Sequence, residues 1–157
     1  MEPRIIYKPA FTVVGFSQEF MGDDIAVDTL WDRLAAHYQE IPFVDPDVGY
    51  GVHLITSENH RYLAGLGVTR PDMSAPLDMA ELRIDPHTYA VFTHFGSMAT
   101  LPETLDYIFE GWLPGANYAA CADFYFEFYD DHYQPDSSHS TLFIWVPVTP
   151  RNAADTE

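Results

Sequence analysis

The chain has 157 residues, 47% of them hydrophobic and 15% aromatic, which suffices for one globular domain with its own core. Its formal charge of −17, from 24 acidic against 7 basic residues, would repel a phosphate backbone, so we expect no direct contact with nucleic acid. The single cysteine, Cys121, excludes an internal disulfide, and the absence of an apolar run near the roughly 18 residues that span a bilayer predicts a cytoplasmic protein without a membrane segment.

The first half of the chain has the pattern of a strand, a helix and a hairpin. Residues 4–14 are rich in β-branched and aromatic residues and predict a first strand that Pro9 interrupts. Apolar residues recur at helical spacing from Ile25 to Tyr38, and Pro42 ends this predicted helix. The segments at 50–57 and 61–68, YGVHLITS and RYLAGLGV, predict a β-hairpin.

The second half repeats this order. AELRI at 80–84 and YAVFTHF at 89–95 predict strands on either side of Pro86, which marks a bulge or corner. Thr100 and Glu103 have the spacing of a capping box and predict a helix that ends near Pro114. CADFYFEFY at 121–129 and STLFIWVPV at 140–148 predict a second hairpin.

The order β-α-β-β therefore occurs twice, which predicts an α+β fold of mostly antiparallel sheets. We expect a single domain over residues 1–157 with two modules, at about 3–70 and about 79–149. Neither module alone offers a large core, so the two sheets should pack or join, with helices covering one side. The junction of the two modules is a natural place for a ligand cleft.

The strand FYFEFY at 124–129 carries one carboxylate among five aromatic rings. Because side chains alternate between the two faces of a strand, the three phenylalanines share one face, which we expect to belong to the core under the helices. Tyr125, Glu127 and Tyr129 share the other face. Glu127 is then either a solvated surface residue or the counter-charge of a cationic ligand in a cleft, where ring faces would add cation–π attraction.

Several segments together resemble the GyrI-like small-molecule-binding domain, also called the AraC effector-binding domain, a bacterial family of multidrug-binding modules. The most specific matches are His94 before Gly96, the helix end Trp112-Leu113-Pro114, the strand Phe126-Glu127-Phe128-Tyr129, and the closing Val146-Pro147-Val148. VVGF at 13–16 and GYGV at 49–52 match more loosely. The resemblance implies two β-α-β-β modules related by a pseudo-twofold axis, with the ligand cleft between them.

The same resemblance implies a set of ligand-binding residues. Glu127 corresponds to the pocket glutamate that pairs with cationic drug-like ligands in this family, and Trp112 to the aromatic residue at the pocket wall. Phe16, Tyr50 and Tyr89 correspond more loosely, and a core role is the commoner fate of such rings. Tyr125 and Tyr129 join these residues because they share a strand face with Glu127. The full set of candidate ligand-binding residues is Glu127, Trp112, Tyr129, Tyr125, Tyr50, Phe16 and Tyr89.

We expect neither a metal nor a cofactor. The predicted hairpin loop DDHYQPDSSH at 130–139 offers aspartates and histidines, but their spacing matches no metal motif, and a polar loop explains them better. Ser138-His139 has no nucleophile-elbow motif beside it, which argues against a serine hydrolase. No glycine-rich phosphate loop is present either, since GLG at 65–67 lies within a predicted strand.

Three functions fit these observations. The first is a module that binds amphipathic, in particular cationic, organic compounds. We expect it to stand alone, because residues 1–25 contain a predicted strand where fused members of the family carry a helix-turn-helix domain. The second is a hydrolase of strained, cyclopropane-bearing genotoxic compounds, with Glu127 and Tyr129 as catalytic residues. The third is an acidic interaction module, resembling a gyrase inhibitor, for a transcription or topoisomerase partner. The aromatic content also leaves room for a homodimer.

Overall fold

The computed structural model describes residues 2–20, 27–42, 44–55, 59–69, 76, 78–130 and 140–151. In chain order the elements are β1 (Arg4–Lys8), β2 (Phe11–Phe20), α1 (Val27–His37), β3 (Val44–Ile55), β4 (His60–Val68), β5 (Ala80–Ile84), β6 (His87–Phe95), α2 (Leu101–Asp106), a π-helical segment (Tyr107–Trp112), α3 (Leu113–Gly115), β7 (Tyr118–Ala120), β8 (Phe124–Tyr129) and β9 (Thr141–Pro150). Short 3₁₀ turns follow α1 at Tyr38–Glu40 and precede α2 at Met98–Thr100.

The strands form one antiparallel sheet in the order β1-β6-β9-β8-β3-β4-β2-β5, and β7 pairs with the end of β9. Both predicted hairpins are present, as the β3–β4 and β8–β9 pairs. The two halves of the chain join through the β3–β8 pair. The prediction of an α+β fold with a mostly antiparallel sheet and two helical regions is therefore confirmed.

The predicted first strand is in fact two strands at opposite ends of the sheet. β1 pairs with β6, whereas β2 pairs with β4 and β5, although only Pro9 and Ala10 separate them. In a flat sheet six strand spacings would place β1 about 29 Å from β2. Three residue steps reach at most about 11 Å. The sheet must therefore curl until its two ends approach each other.

The corner predicted at Pro86 is a second crossing of the same kind. β5 pairs with β2 at one end of the sheet, and β6 pairs with β1 and β9 near the other. β1 of the first predicted module thus pairs with β6 of the second, and β5 of the second module pairs with β2 of the first. The module boundaries at about 3–70 and 79–149 remain a prediction.

The inner face of the curled sheet is filled with aromatic rings. Phe126 stacks on Trp145 with centroids 5.5 Å apart and meets Phe11, three strands away in the sheet, at 5.4 Å. Lys8 extends over this face with Nζ 4.5 Å from the Phe11 centroid, and burial lowers the pKa of its ammonium. The expectation that Phe124, Phe126 and Phe128 lie under the helices is wrong, because the curl makes a separate core on the face without helices.

The helices cover the outer face in two clusters. α1 packs Leu30 and Leu34 against Val14, Phe16 and the strand β4. α2 and the π-helical segment pack Leu101 and Ile108 against β6, β8 and β9. The capping box predicted at Thr100 is wrong, because the Thr100 hydroxyl donates to the carbonyl of Ser97 at 3.1 Å and caps no helical N–H group.

Candidate functional site

The site lies on the outer face, where β3 meets β8 between the two helical clusters. In the register of this pair, Gly51 lies opposite Glu127 and His53 opposite Tyr125. Gly49 lies opposite Tyr129. Trp31 from α1 contacts the Tyr129 ring edge-on at 5.3 Å, and Phe109 from the π-helical segment contacts the Tyr125 ring at 5.1 Å. Both helical regions therefore contribute a ring to the surroundings of Glu127.

Glu127 is a buried carboxylate with few polar partners. Its exposed fraction is 4%, and Oε1 accepts a 2.8 Å hydrogen bond from the Tyr129 hydroxyl. His53 Nε2 lies 3.4 Å from the same oxygen without forming a hydrogen bond. No lysine or arginine within the described part of the chain forms an ion pair with Glu127. A buried carboxylate needs hydrogen bonds or a cation to offset its desolvation, and among the described residues the hydrogen bond from Tyr129 is not joined by an ion pair with a lysine or arginine.

A pair of histidines adjoins the carboxylate. The His53 ring stacks on Tyr125 with centroids 4.4 Å apart and planes 9° apart. His53 Nδ1 lies 3.0 Å from His60 Nε2. Burial lowers the pKa of His60, and the neighbouring His53 lowers it further, while Glu127 acts in the opposite direction. Burial, with Glu127 beside it, raises the pKa of Tyr125, which therefore stays neutral at physiological pH.

Gly51 provides the space in which Glu127 and Tyr62 meet. A Cβ at position 51 would lie 2.4 Å from the Tyr62 hydroxyl and 3.0 Å from Glu127 Oε1, both too close for a side chain. The Tyr62 hydroxyl also accepts a 2.8 Å hydrogen bond from Trp31 Nε1, which ties α1 to β4. The missing side chain at position 51 thus lets two polar groups approach the same point of the sheet.

The structure brings together three of the seven predicted site residues, Glu127, Tyr125 and Tyr129. Trp112 lies on the same face but packs edge-on against Phe92 at 5.2 Å, within the cluster under α2. Phe16 is buried beneath α1, with the guanidinium of Arg33 4.2 Å from its ring centroid.

Tyr50 and Tyr89 lie on the inner face and do not adjoin Glu127. Both belong to the aromatic core there, and both contact Phe126. The reason is the alternation of side chains along β3: the residue opposite Glu127 is Gly51, so its neighbour Tyr50 must point to the other face.

Sequence reasoning missed His53, His60, Tyr62 and Trp31. The predicted hairpin places His53 and Tyr62 on neighbouring strands, so their proximity had a signal in the sequence. Their direct pairing had none, because a turn centred on residue 59 would pair His53 with Gly65, whereas the structure pairs it with Tyr62. Their approach to Glu127 had none, because it depends on the register between β3 and β8, two strands from different halves of the chain.

Two further predictions concern metal binding and membrane-spanning segments. Asp131, His132, Asp136 and His139 of the predicted polar loop lie outside the described residues. Elsewhere in the described ranges, no three histidine, cysteine, aspartate or glutamate side chains cluster in a way that could hold a metal ion. No helix in the described part of the chain has the length and apolar character needed to cross a membrane.

Comparison with known protein families shows to which family the chain belongs. Residues 1–149 match the model of the GyrI-like small molecule binding domain. The chain belongs to the GyrI-like family. A curated relative, the transcriptional regulator BrlR of Pseudomonas aeruginosa, is 30% identical over 152 residues, which cover 94% of this chain and 56% of BrlR. The chain thus spans about half the length of this relative.

Solved structures of low sequence identity share the fold of this chain. SAV2435 bound to tetraphenylphosphonium superimposes with a TM-score of 0.69 at 19% identity, covering 95% of this chain and 94% of SAV2435. The EcmrR C-terminal domain superimposes with a TM-score of 0.70 at 14% identity, covering 96% of this chain and 98% of that domain. At such identities the likeness establishes the shared GyrI-like fold.

Proposed function

We propose that this GyrI-like domain binds amphipathic organic cations, with Glu127 as the counter-charge of the ligand. The observation that carries the proposal is the burial of Glu127 at 4% exposure without a lysine or arginine partner among the described residues. A ligand cation would supply the missing compensation for the desolvated carboxylate. The site lies at the β3–β8 junction, where the two predicted modules meet, which fits a cleft between pseudo-twofold-related halves.

The rings around Glu127 suit a bulky aromatic cation. Tyr129 and Trp31 are partly exposed and stand edge-on to each other beside the carboxylate, while the stacked His53–Tyr125 pair lies on its other side. Each tyrosine or tryptophan face that meets a cation adds about 0.5 to 2 kcal/mol, depending on desolvation. The complex of the structural neighbour SAV2435 with tetraphenylphosphonium supports this ligand class.

The test is the affinity for tetraphenylphosphonium of the wild type and of Glu127→Gln, measured by calorimetry. Loss of the charge should weaken binding by about 1.5 to 3 kcal/mol, roughly 10- to 150-fold, because the partner is a desolvated carboxylate. Glu110→Gln is the matched control, since it removes the same unit of charge from an exposed position on the π-helical segment. It should change affinity less than about threefold, because an exposed charge is screened by solvent and salt.

Two results would overturn the proposal. Equal losses in the two variants would mean that the charge of −17 attracts the cation as a whole, without a site at Glu127. No saturable binding by the wild type would exclude this ligand class. Trp31 gives a second readout, because its contact with Tyr129 makes its fluorescence sensitive to a ligand beside Glu127.

The hydrogen bond between Tyr129 and Glu127 supports a second candidate function, hydrolysis of strained electrophilic compounds. A carboxylate that can accept a proton, 2.8 Å from a hydroxyl that can donate one, has the elements of general acid–base catalysis. Turnover of a cyclopropane-bearing electrophile that is lost in Glu127→Gln, while binding of the compound is retained, would favour this function. Absence of turnover with such compounds would reject it.

A further inference from the structure

One nitrogen of His53 faces the candidate ligand site without a hydrogen bond. His53 Nε2 is buried and lies 3.4 Å from Glu127 Oε1, and within the described part of the chain no acceptor or donor is aligned with it. The other nitrogen, Nδ1, lies 3.0 Å from His60 Nε2. The imidazole is thus held between a second imidazole and the carboxylate proposed to bind the ligand.

Electrostatics decide which nitrogen of neutral His53 carries the hydrogen. A neutral ring has one N–H group and one lone pair, and a lone pair at Nε2 would face the carboxylate oxygen of Glu127. The favoured state therefore has the hydrogen on Nε2, with His60 donating to Nδ1. When His53 gains a proton, Nδ1 becomes a donor and His60 Nε2 must accept. Two imidazolium rings at 3.0 Å would repel each other, so the pair holds one extra proton at most.

Several other titratable groups surround His53. Those found in the described part of the chain are His60 and Tyr62 from β4, and Tyr125 and Glu127 from β8. Burial keeps the pKa of Tyr125 high and that of His60 low, so both remain uncharged near neutral pH.

We propose that His53 is a proton-operated counter-ion that determines whether the site accepts a cation. The inference rests on the cation-binding function proposed above. With His53 protonated, the imidazolium neutralises Glu127 and a ligand cation meets a site without net charge. With His53 neutral, none of the described residues supplies a cation beside Glu127, and an organic cation takes that place. Binding of a cation to the protonated form therefore expels one proton to solvent.

The decisive measurement is the number of protons that the wild-type chain releases when it binds tetraphenylphosphonium. This cation does not titrate, so a difference in binding heat between two buffers of unlike ionisation enthalpy counts protons from the protein alone. Between about pH 5 and 8, the interval in which histidines change charge, we expect release of up to one proton per ligand. Affinity should rise with pH by up to about tenfold per unit, the slope that exchange of one proton imposes.

Two comparisons separate His53 from other titrating groups. Triphenylphosphine oxide, an uncharged analogue, should bind with little dependence on pH, since it does not compete with the imidazolium. His53→Gln should bind tetraphenylphosphonium with an affinity that changes less than about threefold over the same interval. His87→Gln, which removes a histidine that contacts Tyr89 and Phe124 on the inner face, should keep the wild-type pH dependence.

Each possible result bears either on the role of His53 or on the cation-binding function itself. Saturable binding without proton release, at an affinity independent of pH, would overturn the role of His53 and leave the cation-binding function standing. Absence of saturable binding at every pH would overturn both. Absence of proton release by the wild type would overturn the proposal even if His53→Gln does not fold. Proton release that persists in His53→Gln would assign the proton to Glu127 and overturn the role of His53.

Discussion

Glu127 and Gly51 lie directly opposite each other across the β3–β8 pair, and the space that a side chain at position 51 would occupy is used by polar atoms. One of these is Glu127 Oε1, and the other is the Tyr62 hydroxyl. The backbone of the sheet thus admits two buried polar side chains at the point where the two halves of the chain join. This arrangement makes Gly51 a determinant of the site although it contributes no side chain.

Gly51→Ala should therefore damage both stability and ligand binding. The new Cβ would lie 2.4 Å from the Tyr62 hydroxyl, and the displaced ring should cost about 1 to 3 kcal/mol of unfolding free energy, as overpacking of a core typically does. Urea unfolding and tetraphenylphosphonium calorimetry measure the two effects. Gly111→Ala is the control, because its Cβ would meet Tyr107 at an ordinary 3.6 Å. Equal stability of Gly51→Ala and the wild type would contradict the close approach.

Tyr129→Phe tests the hydrogen bond that Glu127 accepts. The substitution keeps a ring against Trp31 but removes the hydroxyl 2.8 Å from the buried carboxylate, so we expect the unfolding free energy to fall by about 1 to 3 kcal/mol. Binding of tetraphenylphosphonium should be retained, because the carboxylate keeps its charge. Tyr7→Phe removes a hydroxyl at an exposed position and should change stability by less than about 0.5 kcal/mol. Similar stability of both variants would mean that the hydrogen bond contributes nothing to folding.

The lowered pKa of His60 predicts a loss of stability on acidification. Burial makes the folded chain bind this proton less readily than the unfolded chain does. The stability associated with neutral His60 is complete above the unfolded value of about 6.5 and falls as the pH drops from there towards the lowered folded value. His60→Gln removes this proton linkage, so its urea midpoint should decline less between about pH 7.5 and 5.5 than that of the wild type. Parallel declines of the two proteins would refute the assignment.

The local elements could be predicted because their signals are local. Helical spacing, proline positions and the alternation of strands identify α1, both hairpins and the helical region after Thr100. The face that each strand buries could not be predicted in the same way. Phe126 belongs to the inner core because it meets Phe11, three strands away, and this contact exists only when the sheet curls. The curl in turn follows from two short crossings, at Pro9 and Pro86, whose strand partners no local pattern specifies.

The same distinction applies to the candidate site, where some contacts follow from local sequence spacing and others do not. The pairing of Glu127 with Tyr129 follows from their spacing of two residues in one strand, which places both side chains on one face. The approach of His53 to Glu127 depends instead on the β3–β8 register. The π-helical turn that carries Phe109 to Tyr125 also lacks a sequence signal, since it is a distortion of an otherwise regular helical pattern.

The helical region that carries Phe109 is anchored to the sheet through His94, and this anchor can be tested. His94 is 1% exposed; Nε2 donates to the Ser97 carbonyl at 2.9 Å, so in the neutral ring Nδ1 accepts from the Thr104 hydroxyl at 2.7 Å. Thr104→Val keeps the side-chain shape but leaves Nδ1 buried without a donor. The unfolding free energy should therefore fall by about 1 to 3 kcal/mol, measured by urea denaturation.

Thr149→Val is the control for this last substitution, since Thr149 is exposed near the end of β9 and its replacement should change stability by less than about 0.5 kcal/mol. Because α2 continues into the turn that places Phe109 against Tyr125, loss of the anchor should also loosen one side of the ligand site. We therefore expect weaker tetraphenylphosphonium binding in Thr104→Val at a temperature where the variant remains folded. Reduced stability with unchanged affinity would show that the His94 anchor supports the fold alone and that the site does not depend on the position of α2.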